Sequence, residues 1–226
     1  MFEDLKNIFD FFIRNKTKFS RKNFVETDLK LIERNKRENL YTKDLLSGFF
    51  NKTPRTSIRA LDIGCKNWFY VKGEYEFFKT FAENVYLDGV EIDAYRLYSN
   101  LYSRYEVAKY YISNLKNVNY IVGNLLDLEG EYDYITWFLP FVTIKPLQYW
   151  GLPKKYFCPE KMLLKAYSLL KVGGEMLIIN QGEEEAGVQK KLLEELGFLH
   201  KELGEVKSEF FEYKNKRFGF LVKKIR

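Results

Sequence analysis

The sequence predicts an α/β fold, a mostly parallel sheet preceded by a basic helical segment. Three observations carry that reading. From residue 57 onward, apolar runs of strand length alternate with amphipathic stretches of helical period, the order that builds parallel sheets. Residues 1–56 show only the helical period and hold most of the net positive charge. The 226 residues are 46% hydrophobic and 18% aromatic, enough to bury the core of one large domain with an appendage.

In chain order, Phe2, Leu5, Ile8, Phe9 and Phe12 follow the helical period. A second helix is expected to start from Thr27 or Asp28 as N-cap, and a third from Thr42 through Leu45, Leu46 and Phe49. Residues 48–57, with Pro54, read as the boundary between a helical cap, 1–56, and the main domain, 57–226. There a strand at 59–63 stops at Gly64, a helix at 75–82 buries Phe77, Phe78 and Phe81, and a second strand spans 85–92. Asp93 is expected to cap a helix over 94–115, placing Tyr95, Tyr98, Tyr102 and Tyr105 on one face.

Strands follow at 118–122, ending in Gly123-Asn124, and at 132–138. Residues 141–158 read as a long connection, either a binding loop or lid or a loop packed on the N-terminal helices. Pro159 suits the first position of a helix to 170, Gly173-Gly174 is expected to cap its end, and 175–180 is a strand. A helix at 183–196 and strands at 199–206 and 216–224 complete the chain.

Composition narrows the function. No run approaches the 18 or so apolar residues of a membrane span, and residues 1–13 contain Glu3, Asp4, Lys6 and Asp10, unlike a signal peptide. The expectation is a cytoplasmic protein with no membrane partner. Cys65 and Cys158 are far apart and lack His or Cys neighbours at ligand spacing, so neither a metal site nor a disulfide framework is expected. Residues 1–57 hold 13 Lys and Arg against 8 Asp and Glu. Within them Arg14, Lys16, Lys18, Arg21 and Lys22 form an acid-free cluster, which would attract a polyanion such as nucleic acid or would simply be solvated surface.

The chemistry concentrates at strand ends. Asp62-Ile63-Gly64-Cys65-Lys66-Asn67-Trp68 resembles motif I of the class I S-adenosylmethionine (SAM) dependent methyltransferases, an acid followed by three glycines at alternate positions. Here Lys66 and Trp68 hold the second and third glycine positions, and Asn67 is the residue expected to take a left-handed conformation. Glu91, at the end of the second strand, matches the family's acid for the ribose hydroxyls, a task that suits a carboxylate with two acceptor oxygens. Asn124 matches the position that accepts from the adenine amino group, although Gly-Asn is equally a turn signal. Residues 169–179, with Val172-Gly173-Gly174, resemble the family segment before strand five.

The resemblance covers about residues 57–224 and implies a Rossmann-like, seven-stranded, mostly parallel sheet with one antiparallel strand. It implies SAM as cofactor, held by Asp62, Gly64, Cys65, Glu91 and Asn124, with Trp137, Pro140 and Tyr149 positioning the acceptor. Phe138-Leu139-Pro140-Phe141 lacks the polar first residue of the amino-methyltransferases that act on bases, and no general base stands out. A nicotinamide-binding reading fits less well, because no glycines stand two and five residues after Gly64. The alternative to an enzyme is a methyltransferase-like binding module that has lost the cofactor and contacts RNA through its basic N-terminal region.

Overall fold

The structure is a computed structural model and describes residues 29–225. The helix expected at Phe2–Ile13, the caps Thr27 and Asp28, and the basic cluster from Arg14 to Lys22 lie outside the described residues.

Helix α1 spans Leu29–Phe49 as one element of 21 residues, where two helices were expected. Thr42 does not cap a new helix. Its hydroxyl donates back to the Glu38 carbonyl at 2.9 Å, a bond made from a helix interior. Tyr41, Leu45 and Leu46 are the buried face that docks α1 on the main domain.

Strand β1, Arg55–Ile63, begins four residues earlier than expected because its exposed start pairs with β2, Ala82–Glu91, from Arg55↔Ala82 onward. Between them helix α2 runs Val71–Phe78, starting straight from the turn after β1. Helix α3 covers only Arg104–Ile112, which corrects the expected helix over 94–115. The chain first doubles back through a bridge between Leu97 and Ser103, with Leu101 at φ 65°. Ser103 and Glu106 then close a capping box that sets the helix start. The four tyrosines therefore share no face: Tyr95 is 67% exposed and Tyr102 is buried. Asp93 is no N-cap either, since its carboxylate pairs with Arg96 at 2.6 Å and Arg104 at 3.1 Å.

Strands β3, Val118–Val122, and β4, Tyr132–Phe138, fall where the sequence predicts. The long connection carries a short helix, α4, Ile144–Tyr149, and Pro159 opens α5, Pro159–Leu169. Strand β5, Leu170–Gln181, follows α5 at once, so Gly173 is not a helix cap but a left-handed kink in β5 whose N–H donates to the Lys224 carbonyl. Helix α6, Gly182–Glu195, and strands β6, His200–Val206, and β7, Arg217–Lys223, complete the fold.

The sheet order is β3-β2-β1-β4-β5-β7-β6, with β7 antiparallel to both neighbours and the rest parallel. Alternate residues of the central strands feed two cores. One contains Trp68, Phe77, Phe78 and Leu87 under α1 and α2; the other contains Leu61, Ile135, Leu163 and Met176 on the opposite face. Connections from β1 and β4 leave the sheet in opposite directions, so a crevice opens at the carboxyl ends of these strands. No described helix is long and apolar enough to cross a membrane.

Candidate functional site

The turn after β1 is left-handed at alternate residues: Gly64 at φ 71°, Lys66 at 57° and Trp68 at 48°. Asn67 is not among them, contrary to expectation. The backbone keeps the alternation of a three-glycine turn although two positions carry side chains. Each such residue is strained by about 1–2 kcal/mol, and nearby groups hold the shape. The Gly64 N–H donates to the Val90 carbonyl at 2.9 Å, the Lys66 N–H to Glu91 Oε2 at 2.8 Å, and the Tyr120 hydroxyl to the Lys66 carbonyl. Trp68 is fully buried, its indole N–H donating to Glu74 Oε2 at 2.8 Å and its ring lying against Gly89. It fills space behind the turn and leaves the crevice open.

That crevice is a cavity of about 800 Å³. Gly64, Glu91 and Asn124 line it at the tips of β1, β2 and β3, whereas Asp62 and Cys65 are fully buried and are not among its lining residues. Glu91 accepts N–H bonds from Lys66 and Asp93 at 2.8 and 2.7 Å. A carboxylate has about four acceptor sites, so a diol can still be bound. Asn124 takes the turn role: its side-chain oxygen accepts from the Leu126 N–H at 3.1 Å. Trp137, Pro140 and Tyr149 line the cavity too, Trp137 buried and Tyr149 at the rim, 88% exposed.

Beneath the turn lies an acid pair. Asp62 accepts from the Tyr70 hydroxyl at 2.8 Å, and Glu74 accepts from Trp68 and from the Thr136 hydroxyl, the latter at 2.8 Å. Burial, and then the Glu74 charge, hold Asp62 well above the usual carboxylate range; burial pushes Glu74 up to about 7. Asp62 Oδ1 is buried without a hydrogen-bond partner. Glu74 went unnoticed in the sequence, yet its spacing from Phe77 and Phe78 places an acid on the apolar face of α2.

Two further groups line the cavity. The Trp150 ring meets two cations, with Lys66 Nζ at 5.1 Å and Arg104 Cζ at 4.7 Å from its centroid. Burial is the main cause that lowers the Lys66 pKa, with repulsion from Arg104 adding to it. Arg96 donates to the Trp150 carbonyl, so the connection after β4 is pinned across the cofactor half of the cavity. At the other end, beyond β5, Tyr41 of α1 meets Tyr213 edge to face, with centroids 5.1 Å apart, and the Arg217 guanidinium stacks 4.5 Å above Tyr213.

This sheet order, with one antiparallel strand and a cavity at the tips of β1 to β5, defines the class I SAM-dependent methyltransferase fold. Comparison with solved structures agrees. A SAM-dependent methyltransferase from Aquifex aeolicus superposes with a TM-score of 0.59 over 85% of this chain and 95% of that one, at 15% identity. Magnesium protoporphyrin IX methyltransferase from Synechocystis, solved with bound SAM, gives 0.51 over 95% and 90%, also at 15% identity. No protein-family model and no curated protein matches the sequence.

Proposed function

We propose that the chain is a SAM-dependent methyltransferase. The observation that carries this is the turn after β1, which keeps the left-handed alternation at residues 64, 66 and 68 and presents its backbone beside Glu91 at the mouth of the cavity. The strained residues Lys66 and Trp68 keep this turn at the mouth of the cavity, where Gly64 allows close approach of a ligand.

The residues present fit the cofactor. Glu91 would accept the ribose hydroxyls, Gly64 allows close backbone approach, and Ile92, Leu125 and Leu126 give apolar walls for a purine. Bound SAM supplies a methyl group already activated on its sulfonium. The chain's task is then to orient the acceptor, exclude water and hold the reacting atom in line. Trp137, Pro140 and the β4 tip shape that space, and Trp150 covers the cofactor half. Contact with RNA through Arg14, Lys16, Lys18, Arg21 and Lys22 would rest on charge alone.

Calorimetry with SAM and S-adenosylhomocysteine tests the reading. Both are expected to bind, and Glu91→Ala to weaken both by tenfold or more, the scale of a lost hydrogen bond to a charged group. Because Glu91 also holds the turn, Glu91→Gln, which keeps one acceptor oxygen, is expected to fall between the two. Absence of binding to the wild-type protein at about 1 mM ligand sinks the proposal in favour of the module.

A further inference from the structure

The cavity has a second half that the cofactor does not need. Adjacent strands lie about 4.8 Å apart, and β7 is three places from β1 in the sheet. The start of β7 is therefore roughly 14 Å from the cofactor turn. Because β7 runs antiparallel, that start, Arg217, stands at the same carboxyl edge, paired with Gln181 at the end of β5. Arg217 lines the cavity together with Tyr41, Phe69, Tyr70 and Tyr213.

Arg217 is a cation with spare donors. Its Nη1 donates to Gln181 Oε1 at 2.6 Å and its face rests on Tyr213. No carboxylate lies within ion-pair distance of it among the described residues. Burial is the main cause that lowers its pKa, so the site holds a partly desolvated positive charge. The nearby acids are otherwise engaged: Glu38 pairs with Arg34 at 3.3 Å, and Glu185 accepts from the Gln181 N–H at 3.1 Å. A guanidinium presents five N–H donors in a flat fork that matches a carboxylate, and stacking on a ring leaves its edge free.

Resting on the methyltransferase reading, we propose that the acceptor is a planar, ring-bearing carboxylate whose anionic group pairs with Arg217. The ring lies among Tyr41, Phe69, Tyr70 and Tyr213, and the atom to be methylated points back toward the β4 tip. A carboxylate is favoured over a phosphate because Glu183, Glu184 and Glu185 line the same edge and repel a second negative charge. Arg217 is a specificity residue in this scheme and takes no part in the transfer itself.

The test uses ligand-observed NMR with benzoate, phenyl phosphate, benzamide and benzylamine at up to about 10 mM, on protein with and without S-adenosylhomocysteine. Benzoate is expected to bind at least tenfold more tightly than benzamide or benzylamine, and more tightly than phenyl phosphate. Arg217→Gln should erase that preference while leaving S-adenosylhomocysteine affinity unchanged, and Arg217→Lys should restore part of it. Equal binding of the neutral or cationic rings, survival of the preference in Arg217→Gln, or no binding by any ring overturns the proposal. Failure of the cofactor to bind is a separate result: it removes the methyltransferase reading, while the benzoate preference of the apo protein still reports on Arg217.

Discussion

Replacing Glu74 by glutamine probes the acid pair beneath the cofactor turn. Both carboxyls are fully buried, and burial raises the pKa of each, Glu74 to about 7 from an ordinary 4.5. The folded protein therefore binds a proton at Glu74 that the unfolded chain releases at lower pH. This stability is fully present below about pH 4.5, is lost as pH rises toward about 7, and stays lost above it. At 1.36 kcal/mol per pH unit the whole effect is about 3 kcal/mol. Glutamine keeps one acceptor oxygen for the Trp68 indole, presents its amide N–H to the Thr136 hydroxyl oxygen, and cannot ionise. Urea denaturation of both proteins between about pH 5 and about pH 8 measures the difference, in which carboxylates remote from Asp62 and Glu74 cancel. The glutamine variant should gain on the wild type as pH rises, by up to about 3 kcal/mol. A difference that stays constant across that range refutes the raised Glu74 pKa.

Two other perturbations test the supports of the site. A Cβ at Gly89 would stand 2.7 Å from the Trp68 ring, so Gly89→Ala should destabilise the fold by about 1–3 kcal/mol. Trp68→Phe in the same chain should recover part of that loss in a denaturation double-mutant cycle; strict additivity would mean that the two do not touch. Trp150→Leu removes the ring that Lys66 and Arg104 both meet and should lower stability by about 1–2 kcal/mol, with Trp150→Phe in between. Equal loss in the two variants would assign the effect to packing alone.

What the sequence showed and hid follows from where the determining contacts lie. β3 and β4 were legible because a strand buried between neighbours needs only a short apolar run, and Val118–Val122 and Tyr132–Phe138 supply one each. The start of α3 was misread because tyrosines repeat at helical spacing by coincidence, and Leu101 takes φ 65° with no glycine to announce it. The capping box of Ser103 and Glu106 was the readable signal there. Glu91 was legible as an acid at a strand end. Arg217 and Tyr213 were not, because their meaning depends on α1, far away in sequence, folding over them.

The turn after β1 shows why a motif can lose its glycines and keep its shape. A glycine count treats Lys66 and Trp68 as defects, yet each is matched by a residue elsewhere in the chain. The missing side chain at Gly89 is the space that the Trp68 ring fills, and the acid on α2, Glu74, is the partner its indole needs. Tyr120 and Glu91 fasten the Lys66 peptide from both sides. Left-handed strain of about 1–2 kcal/mol per residue is thus set against burial of a whole indole, worth about 3 kcal/mol or more when truncated, and several hydrogen bonds. Because Trp68 is directed behind the turn, its bulk leaves the ligand side unobstructed. Of the two side chains, only Lys66 lines the cavity, with its ammonium 5.1 Å from the centre of the Trp150 ring. What a ligand meets at Gly64 is bare backbone, so the shape of the turn survives as long as the φ angles do, whichever residues enforce them.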